Sequence, residues 1–308
     1  MKRMTQQYLR NIRLLVGNKD TMYDFSKLKI VFEVKVLQME VPDRCMVSIY
    51  NLPEDMIVQA LENFTNVQLE VGYGNELQVL YQGEITYWRT YWQDNLVDRV
   101  LTLFSAQNQR AEQYGYMIKS WDAGATAKNI AEEVQSSWAK WGVYKDPGGL
   151  DVIIPGTAYP RGHVTFGRTA DMARTLGRDY NALIKIRNGK SYFVTRDKPN
   201  MDHVIELNYN TGLLKQPEIV ELGIKCECLL NPALSGGAVV HINTKDIIAP
   251  MPNKDTHMLT GLWGAIATSG LYYVLDVTHS GDTWGKQWTS SFLASVIQNL
   301  GKVEEYPA

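Results

Sequence analysis

Period-two hydrophobic alternation recurs in both end thirds of the chain and gives way to helical spacing between them. This switch of period constrains the fold more than any other feature. Ile30, Phe32, Val34 and Val36 alternate with Val31, Glu33 and Lys35, the pattern of a strand that buries one face. Residues 46–50 predict a second strand, leading into Asn51-Leu52-Pro53-Glu54-Asp55, where Asn51 or a neighbour can cap a helix and the proline presets its first turn. Met56, Ile57, Ala60 and Leu61 give that helix one apolar stripe, expected to close a barrel end. Val67, Leu69 and Val71 alternate again before Gly72-Tyr73-Gly74-Asn75 turns the chain into Leu77, Val79 and Tyr81, with Ile85 and Tyr87 beyond Gly83. A return strand over residues 96–106 is expected across a polar and aromatic tip, residues 89–95. Residues 1–112 thus read as a first small antiparallel β-barrel.

The middle changes character. Thr126 opens a predicted helix that runs to about Trp141, with Ile130, Val134, Trp138 and Trp141 on one stripe and Gly142 ending it. A short apolar strand is expected over residues 150–154, a helix from Thr169, and two strands, residues 182–187 and 191–196, around Asn188-Gly189. That dipeptide tolerates the positive φ of a type I′ hairpin turn. Residues 113–208 form an α+β unit. Strands then return over residues 224–230, 237–243, 271–279 and 288–296, a second barrel spanning residues 209–308. The fold class expected is mainly β with an α+β insert, two similar barrels flanking the middle unit.

The two ends also share an order of parts. One strand leads into Asn51-Leu52-Pro53 and another into Asn231-Pro232-Ala233-Leu234, and each continues to a strand and a long aromatic hairpin. This order predicts a diverged internal duplication.

Bulk properties exclude several functions. The 31 basic and 33 acidic residues nearly cancel, leaving a net charge of -2 and no global positive field for phosphates, so sequence-specific or general nucleic-acid binding is not expected. A chain of 308 residues exceeds the size at which one core usually stops growing, so two or three domains are expected. Cys45, Cys226 and Cys228 are too few for a disulfide framework, and Cys226-x-Cys228 puts both thiols on one strand face. The charged start, Met1-Lys2-Arg3, is not followed by the apolar stretch of a signal peptide. The weakly polar run 259–275 is broken by glycines and falls short of the roughly 20 apolar residues of a membrane span.

No cluster has convincing catalytic spacing. Asp276, His279, Ser280 and Asp282 offer base, nucleophile and carboxylate types, but Asp276 and His279 lie three apart on a strand and point to opposite faces, while Ser280-Gly281-Asp282 has turn composition. His163, His203, His241, His257 and His279 are scattered without paired spacing, so no metal and no other cofactor is expected. Gly72-Tyr73-Gly74 lacks the third glycine and following helix of a dinucleotide loop. Glu84 and Asp94 flank the aromatic hairpin and would be the acid pair of a glycan-cleaving site. Tyr87, Trp88, Tyr91 and Trp92 read instead as core or subunit contact, since interfaces are enriched in Tyr and Trp. Trp138 and Trp141 read as helix packing.

Three segments, in this order and separation, carry a family resemblance: Val47-Ser48-Ile49-Tyr50-Asn51-Leu52-Pro53; Gly212-Leu213-Leu214 with Cys228-Leu229-Leu230-Asn231-Pro232; and His279-Ser280-Gly281-Asp282 followed by Trp288-Thr289. Together they resemble the baseplate hub of contractile-tailed bacteriophages, of the Mu-like and T-even type. The resemblance implies a structural virion protein without catalytic residues, a homotrimer whose paired barrels alternate around a channel and match a hexameric tail tube. It further implies contact with the tail tube protein, the central spike protein, the tape measure protein and other baseplate proteins, assembly in the host bacterial cytoplasm, and a place in the tail baseplate where DNA passes at genome ejection. Some members of that family carry a fused wall-degrading module, which is not expected in a chain ending at Ala308. Two other readings keep the barrels: a tail-associated peptidoglycan-degrading enzyme, and the hub of a contractile bacteriocin-type injection machine.

Overall fold

Strand alternation becomes burial directly. Ile30, Phe32, Val34 and Val36 all point into one core, and Ile12, Leu14 and Val16 do the same from an earlier strand. The computed structural model describes residues 9–18, 20–37, 41–93, 98–145, 158–195, 203–220, 223–243 and 270–297. The strand expected over residues 150–154, Asp94 and His257 lie outside them.

The first third contributes β1 (Arg10–Gly17), β2 (Met22–Asp24), β3 (Ile30–Leu37), β4 (Arg44–Tyr50), α1 (Glu54–Asn63), β5 (Asn66–Tyr73), β6 (Glu76–Gln93) and β7 (Asp98–Ala106). In the middle stand α2 (Gln109–Tyr114), β8 (Tyr116–Trp121), α3 (Ala127–Ala139), β9 (His163–Arg168), α4 (Thr169–Asp179), β10 (Ala182–Arg187) and β11 (Lys190–Thr195). The last third adds β12 (Val204–Leu207), β13 (Glu218–Val220), β14 (Gly223–Leu229), β15 (Val239–Ile242), β16 (Leu271–Asp282) and β17 (Trp288–Val296).

The protein is mainly β. Strands from both ends join in one 13-stranded sheet of order β13-β14-β17-β16-β3-β4-β7-β6-β5-β1-β2, with β15 on β16 and β12 on β15. One apolar core runs through both ends, from Ile12 and Phe32 to Phe292 and Ala294. Val204–Leu207, at the end of the expected middle unit, pairs with β15 and so belongs to the large sheet.

The middle packs its own core around Ile130, Val134, Trp138, Leu176 and Ile184. Thr126 caps α3 by accepting from the backbone N–H of Asn129, whose side chain accepts from the Thr126 N–H at 2.9 Å, so two otherwise orphaned helix donors are satisfied. Trp138 is fully buried, whereas Trp141 is 38% exposed. The helix ends at Ala139 and Gly142 turns away at φ 84°, which carries Trp141 off the stripe expected of it. Asn188 and Gly189 take φ 46° and 75°, the turn that joins β10 to β11.

A buried ion cluster fixes this unit to the sheet. Lys185 Nζ donates to Asp43 Oδ1 at 2.6 Å and to the Leu37 carbonyl at 2.7 Å, Arg187 Nε donates to Asp43 Oδ2 at 3.3 Å, and Arg187 Nη1 reaches the Gly236 carbonyl. Burial pulls the Lys185 amine below its ordinary range, with the Asp43 carboxylate opposing that shift. Losing Asp43 would strand two cations in the interior, a cost of roughly 3–5 kcal/mol.

Candidate subunit interface

The two ends of the chain follow one plan. Through β3-β4-β7-β6-β5-β1 in the first and β13-β14-β17-β16-β15-β12 in the second, neighbours occur in the same order. Only the last pair differs, antiparallel for β5 with β1 and parallel for β15 with β12. The hairpins agree in detail. β6 carries a bulge between Ile85 and Tyr87 opposite β7, and β16 one between Val274 and Asp276 opposite β17. Aligning the bulges puts Glu84 on Tyr273 and Gln93 on Asp282, and the first residues of β5 and β15, Asn66 and Val239, then stand opposite those equivalents. The partners on β4 and β14 bring Pro53 into line with Pro232.

Within the chain the two units meet along β16 and β3. Seven residue pairs join them, from Asp276 opposite Leu37 to Asp282 opposite Val31. The residues of the third resemblance segment build this seam. Trp288 is buried with its ring edge-on to Phe32 at 5.6 Å and 81°, a geometry that adds about 1 kcal/mol to the area buried. Gly281 lies opposite Phe32, and a Cβ there would stand 2.4 Å from the Phe32 ring. Asp282 Oδ1 accepts from the backbone N–H groups of Trp284 and Gly285 and shapes the β16–β17 turn. The expected turn over Ser280-Gly281-Asp282 is instead strand, because β3 and β17 pair with it on both sides.

His279 is wholly buried. Its Nε2 donates to the Leu234 carbonyl at 3.1 Å, so neutral Nδ1 accepts from the Ser290 hydroxyl at 2.7 Å, and Ser290 in turn accepts from the Asn231 N–H at 3.0 Å. Burial lowers its pKa to about 4. Asp276, Ser280 and Asp282 do not turn toward it: they alternate to the other face of β16. Glu84 accepts from the Arg110 N–H at 2.8 Å. Cys226 and Cys228 share the buried face of β14 as expected, and burial pushes the Cys228 thiol up to about 12.

The corresponding loops serve different ends. Asn51, at φ 54°, does not cap α1: its side chain donates to Asp98 and accepts from the Arg99 N–H, tying the loop to β7. Leu52 and Leu234 are both buried, and Pro53 accepts from the Ile57 N–H at the start of α1. Asn231 Oδ1 accepts from the Ala233 N–H just past Pro232. Leu213 bridges to Cys228 and the Leu214 N–H donates to the Glu227 carbonyl, so the two parts of the second resemblance segment lie side by side.

Besides the outer edges of β2 and β12, two edges of the large sheet are unpaired among the described residues. Among the described residues, β13 pairs only with β14, and β6 beyond Ile85 pairs only with β7. Tyr87, Trp88, Tyr91 and Trp92 lie on this stretch, and Tyr91 and Trp92 stand within the strand and not in the tip expected for residues 89–95. All four are exposed, Trp92 by 54%. Tyr87 stacks on Phe104 at 4.2 Å, and Arg89 and Arg99 lie over the rings of Tyr91 and Trp92. A second exposed apolar face, Tyr116, Ile118, Val164 and Phe166 on β8 and β9, escaped the sequence reading although its alternation is visible there.

No family model and no curated protein sequence matches this chain. Solved structures do. A tail protein from Neisseria meningitidis MC58 superposes with TM-score 0.56 at 9% identity over 94% of this chain and 97% of that one. The 43 kDa tail protein of prophage MuSo2 from Shewanella oneidensis gives 0.55 at 8%, over 92% and 96%. A type VI secretion component of E. coli, itself described as similar to bacteriophage T4 tail proteins, gives 0.52 at 10%, over 91% and 76%. The fold of this chain is the one shared by these phage tail proteins and the type VI secretion component.

Proposed function

We propose that the protein is a non-enzymatic structural component of a phage-type tail, a baseplate hub whose three copies close a ring of six similar β units. One observation carries the reading: the strand order repeats, and among the described residues it leaves the outer half of β6 in one unit and the outer side of β13 in the other without a partner strand. Units that join head to tail form a closed ring when their rotation closes and a filament when it does not. Three chains of two units each offer six similar surfaces to a sixfold tail tube on one side and three identical ones to a central spike on the other.

Fold likeness to tail proteins supports this reading. The tape measure protein and DNA would pass through the channel, and a net charge of -2 suits passage without retention. Further baseplate proteins would surround the ring, assembled in the host cytoplasm and carried in the virion. The likeness to a type VI secretion component favours a second reading, the hub of a related injection machine such as a contractile bacteriocin, with the same ring physics. Against a tail-associated lytic enzyme stands the close pair His279 and Ser290, which is sealed in the core and spent on hydrogen bonds.

Native mass measurement tests the ring. Three-chain particles in exchange with monomer are expected as concentration rises; a stable closed dimer would overturn the proposal.

A further inference from the structure

The seam inside the chain predicts the seam between chains. β16 is held on its second edge by β3, and the equivalent edge of β6 has no partner among the described residues; β3 has its own equivalent in β13, whose outer edge is likewise unpaired among them. Resting on the ring reading above, we propose that residues 87–93 of β6 receive β13 of the next protomer as an antiparallel strand. Transferring the register of β16 with β3 sets Thr90 opposite Ile219, Arg89 opposite Val220 and Tyr91 opposite Glu218 of the neighbour.

Three features fit this occupant. Trp88, Thr90 and Trp92 stand on the face equivalent to Val277, His279 and Gly281, which are buried where β3 is present, whereas residues 86–92 are exposed and, among the described residues, have β7 as their one strand neighbour. The side-chain volumes are exchanged across the two seams: Gly281 faces the large Phe32, and the same register brings the large Trp92 to the compact Pro217. Arg89 and Glu218 fall on one face as a diagonal pair of opposite charge, close enough to attract.

The new seam is shorter than its template. Leu213 bridges to Cys228, but residues 215–217 leave the ladder, so only β13 offers regular pairing beside Pro217, which has no N–H to give. Short strands and prolines are how proteins keep a sheet edge from joining unwanted partners. The seam within the chain is therefore permanent, and the seam between chains opens and closes.

A full-length Thr90→Cys/Ile219→Cys variant tests the register, since facing residues on paired strands stand within disulfide reach. Mild oxidation is expected to yield covalently linked trimers, with no linkage in either single variant or in Thr90→Cys/Val220→Cys, whose cysteines face opposite sides of the sheet. On the unmodified chain, amide exchange in residues 87–93 and 218–220 should slow by roughly tenfold or more on passing from monomer to trimer. Trimers that neither cross-link through this pair nor protect these segments would overturn the seam and leave the ring standing. A chain that remains monomeric, or closes as a dimer, would overturn the ring reading and the seam with it.

Discussion

The hairpins β6–β7 and β16–β17 have the same bulge and the same place in the sheet order, yet their side chains could hardly differ more. Where β16 carries Val277, His279 and Gly281, all buried, β6 carries Trp88, Thr90 and Trp92, all exposed. The backbone plan is common to both units, and the difference follows the neighbour each strand meets. β16 is sealed by its own chain and has become core, with a glycine cut to fit Phe32 and a histidine held neutral. β6 keeps large aromatic rings at the surface, where in the proposed ring they would bury area at little entropic cost against another chain.

Substitutions at paired positions break this comparison in graded ways. The largest effect is expected from Trp288→Ala, which opens a cavity at the internal seam and should cost roughly 3–5 kcal/mol in chemical denaturation. Gly281→Ala should cost about 1–3 kcal/mol by overpacking against Phe32. A measured cost near zero at either site would mean that the internal seam is looser than described.

His279 sharpens the contrast through pH, because its counterpart Thr90 does not titrate. The unfolded chain takes up a proton at this side chain below about pH 6.5, and the folded chain only below about 4. Its stabilising contribution is complete above 6.5 and declines as pH falls toward 4, by roughly 1 kcal/mol per unit. That slope should be absent in denaturation curves of His279→Gln. The smallest effect on the monomer belongs to Trp92→Ala, with about 0.5 kcal/mol or less lost on unfolding. Assembly should still weaken, shifting the monomer–trimer midpoint to higher concentration; equal loss of folding and assembly would place Trp92 in the core.

Much of this was legible in the sequence because burial on one face writes a period of two. β3, β5, β14 and β17 were readable for that reason, as were α3 from Thr126 and the Asn188-Gly189 turn. The outer half of β6 was not, since a strand wet on both faces leaves no alternation, and its exposed rings suggested a loop. The end of β16 was misread in the opposite direction: Ser280, Gly281 and Asp282 favour turns, but two flanking strands hold them extended. Trp141 followed helical spacing two residues beyond the real end of α3. The aromatic residues of the candidate interface were found by composition alone. What chain order could not reveal was the seam, because β3 and β16 lie at opposite ends of the sequence and nothing local marks them as partners.

The most direct measurement is a cryo-electron-microscopy reconstruction of the assembled particle. The predicted result is three chains in a ring, the two units of each related by a rotation of roughly 60°, with β6 paired to the next chain's β13 as β16 is paired to β3. Units related by any other rotation, or a ring in which the outer edge of β6 stays unpaired, would contradict the account.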